Sequence, residues 1–265
     1  MNRFASRELS MLIALVAIWA FFAWQEPVFL SARNLSLLSV ELAVTAVLAL
    51  GMLVVLLPGQ IDLSAGSGVG LAGAVAAVLV FWHDVPAPVA LLVATLGAVL
   101  VWSAMGALIA IERIPAFIMT LGGLLVFRGL HWLVIENQTV PVVVGGSQNV
   151  YSLLTTYYLP EVAGYVLAGL AVAAIVATAL VARKRRQSYG FPVDDGEITF
   201  LKLFALAQMV FLVVIVTNGY RGVPIALVIL GLVAVLVHQP VTNTPSGRYL
   251  SAVGAHAQAP PASAA

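Results

Sequence analysis

The chain contains no cysteine and few charged residues. The absence of cysteine from all 265 residues excludes disulfide bonds and thiolate metal sites. Only 9% of the residues are charged and the net charge is +1, so the clustered basic surface typical of nucleic-acid binding is missing. We find no phosphate-binding loop, no His/Glu metal spacing and no nucleophile with a nearby base. We therefore expect no nucleic-acid partner, no metal, no cofactor and no enzymatic activity.

Apolar residues are abundant instead. They make up 62% of the chain, and the mean hydropathy is +1.07, whereas a soluble domain is about 45–50% apolar. A helix that crosses the bilayer core needs about 20 apolar residues. The sequence therefore predicts an all-α fold, a polytopic membrane helix bundle of about eight transmembrane helices. The predicted spans are 9–24, 42–57, 63–82, 86–111, 114–135, 162–182, 200–217 and 222–238.

The basic residues predict the orientation of these spans, because cytoplasmic loops carry an excess of Lys and Arg. With the N-terminus in the cytoplasm, an even number of spans returns the C-terminus to the same side, and nine basic residues lie at cytoplasmic ends. These are Arg3, Arg7, Arg113, Arg183, Lys184, Arg185, Arg186, Lys202 and Arg248. Arg33 and Arg221 fall outside, and Arg128 lies within a span. Arg3 and Arg7 before an apolar run are also typical of a secretory signal peptide, but the residues after Trp24 offer no small-x-small cleavage site.

Residues 58–67 place a carboxylate and a helix-breaking Pro-Gly pair between two apolar runs. An ionisable group within a membrane is costly unless it faces protein, water or a pathway. A broken helix at membrane depth is tolerated only where it is buried in protein or lines a cavity. We therefore predict a broken helix near Asp62 that borders a solute's passage. Asp62 and Ser64 either cap the following helix or contact the solute, and the sequence leaves both interpretations open.

The helix after this break is rich in small residues. Gly66 and Gly70 have the spacing Gly-x-x-x-Gly, which lets helix backbones approach closely in a membrane. We expect both glycines to serve helix packing.

A second motif occupies residues 114–122. Pro115 suits the first turn of a helix, Phe117 offers a ring that can stack on a sugar, and Thr120 offers a hydroxyl one turn further on. Arg128 follows Pro115 by roughly 20 Å of helix. An arginine that snorkels to the interface, with Glu136 as a candidate partner, is favoured over a substrate ligand.

Together these motifs resemble the permease subunits of bacterial sugar ATP-binding-cassette importers of the ribose/xylose type. The resemblance rests on Ala-Leu-Gly-Met at 49–52, Gly-x-Ile-Asp-Leu-Ser-x-Gly-Ser at 59–67, Pro-x-Phe-Ile-x-Thr-Leu at 115–121 and Arg128-Gly129. Three further stretches, at 138–142, 189–193 and 220–224, are similar to the xylose branch. The similarity runs from about Asn34 to Gly254.

The resemblance implies a passive conduit for a pentose such as D-xylose in the bacterial inner membrane, with both termini cytoplasmic. It implies cytoplasmic ATPase subunits, a periplasmic sugar-binding protein and a second permease subunit in a homodimer. The expected pathway residues are Asp62, Ser64, Phe117, Thr120 and Arg128.

The resemblance also marks the start of a cytoplasmic loop that contacts the ATPase. Gly247, Arg248, Ala252 and Gly254 match its first residues. The expected coupling residues are Gly247, Arg248, Tyr249, Ala252 and Gly254. We therefore divide the chain into a membrane region at 1–246 and the beginning of the coupling loop at 247–265. The tail from Gln239 is polar and then rich in Ala and Pro at 255–265, which predicts disorder. Because the family's pattern continues with further spans, we expect a permease that is truncated within the coupling loop.

Two other functions compete with this interpretation. An ion-coupled secondary transporter would use Asp62 as its proton or sodium site and need no ATPase. A truncated remnant would insert in the membrane without transporting sugar. Both leave the coupling-loop match at Gly247 unexplained.

Overall fold

The computed structural model describes residues 3–141 and 148–256, with side chains from 9 to 141 and from 148 to 254. Its long elements are helices, in agreement with the predicted all-α class. The helices are α1 (Arg3–Gln25), α2 (Ala32–Leu56), α3 (Ala65–Phe81), α4 (Ala87–Glu112), α5 (Ala116–Val134), α6 (Val150–Thr156), α7 (Glu161–Ser188), α8 (Gly196–Asn218), α9 (Ile225–Asn243) and α10 (Pro245–His256). Two short strands, β1 (Tyr158–Leu159) and β2 (Val223–Pro224), accompany them.

Among the described residues, six helices are long and apolar enough to cross a membrane, namely α2, α4, α5, α7, α8 and α9. The apolar part of α1, Leu9–Gln25, and the whole of α3 are shorter apolar helices. The polytopic membrane bundle is thereby confirmed, and eight spans remain an approximate number. The second predicted span needs a correction, because α2 begins at Ala32, ten residues before the predicted start at Leu42.

Prolines define where several helices begin. Pro86, Pro115 and Pro160 each occupy the position just before α4, α5 and α7, with the extended ψ of a residue outside the helix. The proline ring fixes φ near the helical value and removes an N–H that would find no partner at a helix start. The predicted role of Pro115 at the start of a helix is therefore confirmed.

The chain divides into two compact units. The first comprises Met1–Glu41 and Tyr158–Pro224, and within it α7 packs along α8. The second comprises Leu42–Tyr157 and Ile225–Ala265, and within it α3 packs against both α4 and α5.

The strands of the first unit form a two-residue antiparallel ladder. Tyr158 pairs with Pro224, and Leu159 pairs with Val223. Gly222 precedes β2 with a φ of +108°, and a Cβ there would overlap the carbonyl oxygen of Leu159. Only glycine combines this backbone conformation with so close an approach. Gly222 is therefore required by this ladder.

The C-terminal part is more regular than the sequence indicates. Helix α9 continues to Asn243, and α10 follows over Pro245–His256, which corrects the expectation of disorder from Gln239 onward. Residues 257–265 of the predicted disordered tail lie outside the described residues.

Candidate functional site

The candidate site is built on the break between α2 and α3. Helix α2 ends at Leu56, and α3 does not begin until Ala65. The local cause is the Pro58-Gly59 pair. Gly59 takes a φ of +78° and its N–H donates to the Leu56 carbonyl at 2.9 Å, which closes a turn instead of continuing the helix. The predicted broken helix near Asp62 is confirmed.

Asp62 lies in this break and accepts three hydrogen bonds. The backbone N–H and the hydroxyl of Ser64 donate to Oδ1 at 2.8 and 2.6 Å. The indole Nε1–H of Trp102 donates to Oδ2 at 2.9 Å. Ser64 precedes the first residue of α3, yet its side chain makes no capping bond to the helix. The capping prediction is corrected accordingly: Asp62 binds the N–H of Ser64 itself, and the hydroxyl of Ser64 supports Asp62.

These contacts leave Asp62 with limited free hydrogen-bonding capacity. An ionised carboxylate accepts about four hydrogen bonds, two on each oxygen. Oδ1 already accepts two and Oδ2 accepts one, so one acceptor position remains, on the oxygen that faces Trp102. Asp62 is half-buried, whereas Ser64 is fully buried. In this conformation Asp62 can receive one donor from a solute, and Ser64 holds the carboxylate in place.

Trp102 is a residue of this site that the sequence motifs did not indicate. It lies on α4, half-buried, and its ring contacts that of Phe127 on α5 at a centroid distance of 5.2 Å. Tryptophan is enriched at membrane interfaces, and Trp102 instead lies ten residues before Glu112, the last residue of its helix. This placement of a tryptophan away from the end of its helix is the sequence signal that could have identified Trp102. A tryptophan away from the interface needs a partner for its indole N–H.

A glycine makes room for this indole ring. A Cβ at Gly68 would overlap Cη2 of Trp102 and would lie 3.1 Å from Cδ2 of Phe127. A Cβ at Gly66 would meet nothing within 4 Å, and one at Gly70 would lie 3.8 Å from Nδ1 of His131, an ordinary contact. Within this chain Gly68 is therefore the glycine of α3 that packs most closely, and the packing roles of Gly66 and Gly70 stay predictions. The physical reason is rotation about the helix axis, which turns Gly68 towards α4.

Helix α5 contributes Thr120 to the same site. Its hydroxyl donates to the Ile61 carbonyl at 3.2 Å and to the Phe117 carbonyl at 3.4 Å, and its side chain is buried. Thr120 thus fastens α5 to the residue before Asp62. Phe117 is 51% exposed and is free to contact a solute or a partner.

Arg128 is not brought into this cluster. It is exposed, and within the described residues the only ion pair joins Lys202 to Asp194, so Arg128 does not pair with Glu136 here. The structure thus brings Asp62, Ser64 and Thr120 together and leaves Phe117 and Arg128 at the surface. Their roles in a pathway stay predictions.

An apolar groove of about 520 Å³ lies beside the cluster, between α4 and α5. Phe127 connects the two, because it lines the groove and also contacts Trp102. The groove is lined by Val101, Met105, Ile114, Ile118, Met119, Gly122, Gly123, Val126 and Phe127.

The predicted coupling residues lie on α10, which packs against the start of the break. A Cβ at Gly254 would overlap the carbonyl oxygen of Leu57, the residue before Pro58. A Cβ at Gly247 would overlap the carbonyl oxygen of Val241 on α9. Tyr249 is 72% exposed. Both glycines are therefore needed for α10 to approach its neighbours closely.

Comparison with known proteins gives a family and several relatives. The family model described as "Branched-chain amino acid transport system / permease component" matches residues 34–263. The xylose transport system permease proteins of Haemophilus influenzae and Escherichia coli are each 34% identical over 94% of this chain. The ribose import permease protein of Escherichia coli is 37% identical over 54% of this chain and 43% of its own length.

The match to the xylose relatives covers 66% of the Haemophilus influenzae protein and 63% of the Escherichia coli protein. The chain thus spans a little less than two thirds of their length. No solved structure gives a significant match.

Proposed function

This chain belongs to the branched-chain amino acid transport system / permease component family, and on that premise we propose that it is a permease subunit of an ATP-binding-cassette sugar importer. Its solute is a pentose, with D-xylose favoured, because the xylose permeases match along 94% of the chain and the ribose permease along 54%. The protein is a multi-pass membrane protein, and we place it in the bacterial inner membrane.

The observation that carries this proposal is the supported carboxylate in the helix break. Asp62 is oriented from two sides, by Ser64 and by Trp102, and keeps one acceptor position. A sugar hydroxyl is a neutral donor that suits such a position. Thr120 ties the break to α5, which carries the exposed ring of Phe117. A carboxylate can accept a hydrogen bond from a sugar hydroxyl, and an aromatic ring can stack on the face of a sugar.

The proposed orientation brings the break close to the cytoplasmic surface. With the N-terminus in the cytoplasm, α2 runs inward and α3 runs outward. The 17 residues of α3 span about 26 Å, close to the thickness of the bilayer core, so the break lies near the inner end. We propose that residues 1–246 form the membrane region of the conduit.

Residues 247–265 begin the loop that couples the conduit to ATP hydrolysis. Helix α10 carries Gly247, Arg248, Tyr249, Ala252 and Gly254 and contacts Leu57 at the start of the break. Movement of α10 by a cytoplasmic ATPase would therefore reach the Asp62 segment through directly packed residues. The further partners that we propose are a periplasmic sugar-binding protein and a second permease subunit.

The proposal is tested by uptake of labelled xylose into vesicles that contain the chain with candidate ATPase and binding-protein subunits. We expect ATP-dependent uptake and co-purification of the chain with the ATPase. Asp62→Asn keeps the shape of the side chain and removes its charge, and uptake should fall at least about tenfold, the effect of one lost charge-assisted hydrogen bond.

Two threonine substitutions distinguish a specific effect at the site from a general effect of Thr→Val on a helix. Thr120→Val removes the bond from α5 to the break, and uptake should fall. Thr95→Val removes a hydroxyl that bonds only the Leu91 carbonyl of its own helix, and uptake should be unchanged. Uptake that persists without the ATPase and stops with an uncoupler would overturn the proposal in favour of ion coupling.

A further inference from the structure

The C-terminal end of α7 forms a groove that the proposed transport function does not use. The groove has a volume of about 590 Å³, within the range of about 300–1,000 Å³ typical of ligand sites. All of its lining residues come from α7 and the three residues that follow it. They are Ala177, Thr178, Val181, Ala182, Arg185, Arg186, Tyr189 and Phe191.

A helix cap shapes this groove. The N–H of Phe191 donates to the Arg186 carbonyl at 3.0 Å, and the N–H of Gly190 donates to the Gln187 carbonyl at 3.0 Å. Gly190 has a φ of +72°. These two bonds and a left-handed glycine define a Schellman motif, which ends the helix and turns the chain back along it. The turn places the rings of Tyr189 and Phe191 beside the last turns of α7.

The groove changes from apolar to basic along the helix. Its first half is formed by three apolar side chains and by Thr178, whose hydroxyl donates to the Ala174 carbonyl of its own helix. Its second half carries the exposed arginines Arg185 and Arg186. Helix α7 has 28 residues, about 42 Å, whereas the bilayer core is about 30 Å thick. The arginines therefore emerge at the level of the lipid headgroups, and the exposed Tyr189 and Phe191 occupy the belt where aromatic residues are enriched.

Asp194 interacts electrostatically with Arg186 at longer range, but in the described part of the chain no acid forms an ion pair with either Arg185 or Arg186. The ion pair of Asp194 is made with Lys202. Arg183 donates instead to the hydroxyl of Thr199, in the first turn of α8. Two unpaired guanidinium groups at the end of an apolar groove complement a ligand with an anionic head and an apolar tail.

We propose that this groove binds an anionic phospholipid of the cytoplasmic leaflet. Arg185 and Arg186 bind the phosphate, and an acyl chain lies along Val181 and Ala182. The bound anion is the headgroup of a lipid and not free phosphate, because a small polar anion would leave the half of the groove without arginines unfilled. The proposal rests on the cytoplasmic placement of this end of α7 and is independent of the transported solute.

The test is native mass spectrometry of the full chain in detergent, titrated with phosphatidylglycerol or with phosphatidylcholine of the same acyl chains. We expect tighter binding of phosphatidylglycerol. Arg185→Gln with Arg186→Gln should weaken it about 25-fold, from roughly fivefold for each basic residue near a membrane surface. Both side chains are exposed, so the fold should persist, which circular dichroism verifies.

Two further variants distinguish lipid binding in the groove from a general effect of positive charge. Lys184→Gln with Arg113→Gln removes two cytoplasmic charges outside the groove, and binding should change less than about threefold. Ala182→Trp fills the apolar half without a change of charge and should weaken binding of phosphatidylglycerol. The proposal would be overturned if Lys184→Gln with Arg113→Gln weakened lipid binding as much as the double arginine variant does. It would also be overturned if Ala182→Trp had no effect, or if glycerol phosphate competed fully with phosphatidylglycerol.

Discussion

Replacing Gly68 with alanine tests the packing that positions Asp62. The added methyl would overlap the indole ring of Trp102 and approach Phe127 at 3.1 Å. Overpacking costs about 1–3 kcal/mol, and the better helix propensity of alanine returns about 0.5–1 kcal/mol. We therefore expect Gly68→Ala to lower the free energy of unfolding by about 0–2.5 kcal/mol, with a midpoint of about 1.3 kcal/mol.

A second substitution shows whether the clash is with the indole. Trp102→Phe removes the ring edge that carries Cζ2 and Cη2, and also the hydrogen bond from Nε1 to Asp62. Loss of that bond to a charged group should cost about 1.5–3 kcal/mol. In the Trp102→Phe background the overlap with the indole is absent and only the 3.1 Å approach to Phe127 remains, so Gly68→Ala should become close to neutral. The two sites are thus coupled by about 1–3 kcal/mol.

The measurement is unfolding of the purified chain in detergent by sodium dodecyl sulfate, followed by circular dichroism. Gly66→Ala is the matched control, because the same substitution on the same helix meets open space. It should leave the midpoint unchanged or raise it slightly. If Gly68→Ala costs the same in both backgrounds to within about 0.5 kcal/mol, close packing of the Trp102 indole on Gly68 is refuted.

Three further changes have defined outcomes. Gly222→Ala should lower stability by more than about 2 kcal/mol in the same unfolding assay, because the methyl overlaps the Leu159 carbonyl at a positive φ. Gly254→Ala should separate α10 from the end of α2 and speed hydrogen exchange in 245–256 at least about tenfold. The Lys202 ammonium hydrogen-bonds Asp194 at 2.6 Å and lowers the pKa of that carboxyl below its ordinary value of 3.8, so Lys202→Gln should raise the pKa in an NMR titration.

Each of these predictions has a control or a contradicting result. Gly231→Ala, on α9 and in open space, should leave both stability and hydrogen exchange unchanged. The lowered pKa of Asp194 stabilises the fold above pH 3.8, and the effect disappears as the pH falls through the lowered value. A pH dependence of unfolding that is the same in wild type and Lys202→Gln would show that this exposed pair does not contribute to stability.

The sequence by itself determined the membrane class, the approximate spans and the break. These features are local: long apolar runs indicate membrane helices, and the Pro58-Gly59 pair opposes continuation of a helix. The motif at 59–67 also indicated that Asp62 matters, because a carboxylate among apolar residues needs a reason.

The tertiary structure alone decided which side chains meet Asp62. Trp102 lies forty positions away, and the bond from Thr120 to Ile61 joins residues 59 positions apart. In a soluble helix the polar stripe reveals which face is buried. These membrane helices are apolar on all sides, so the pattern does not tell Gly68 from Gly66, and the rotation of each helix is set by packing against its neighbours.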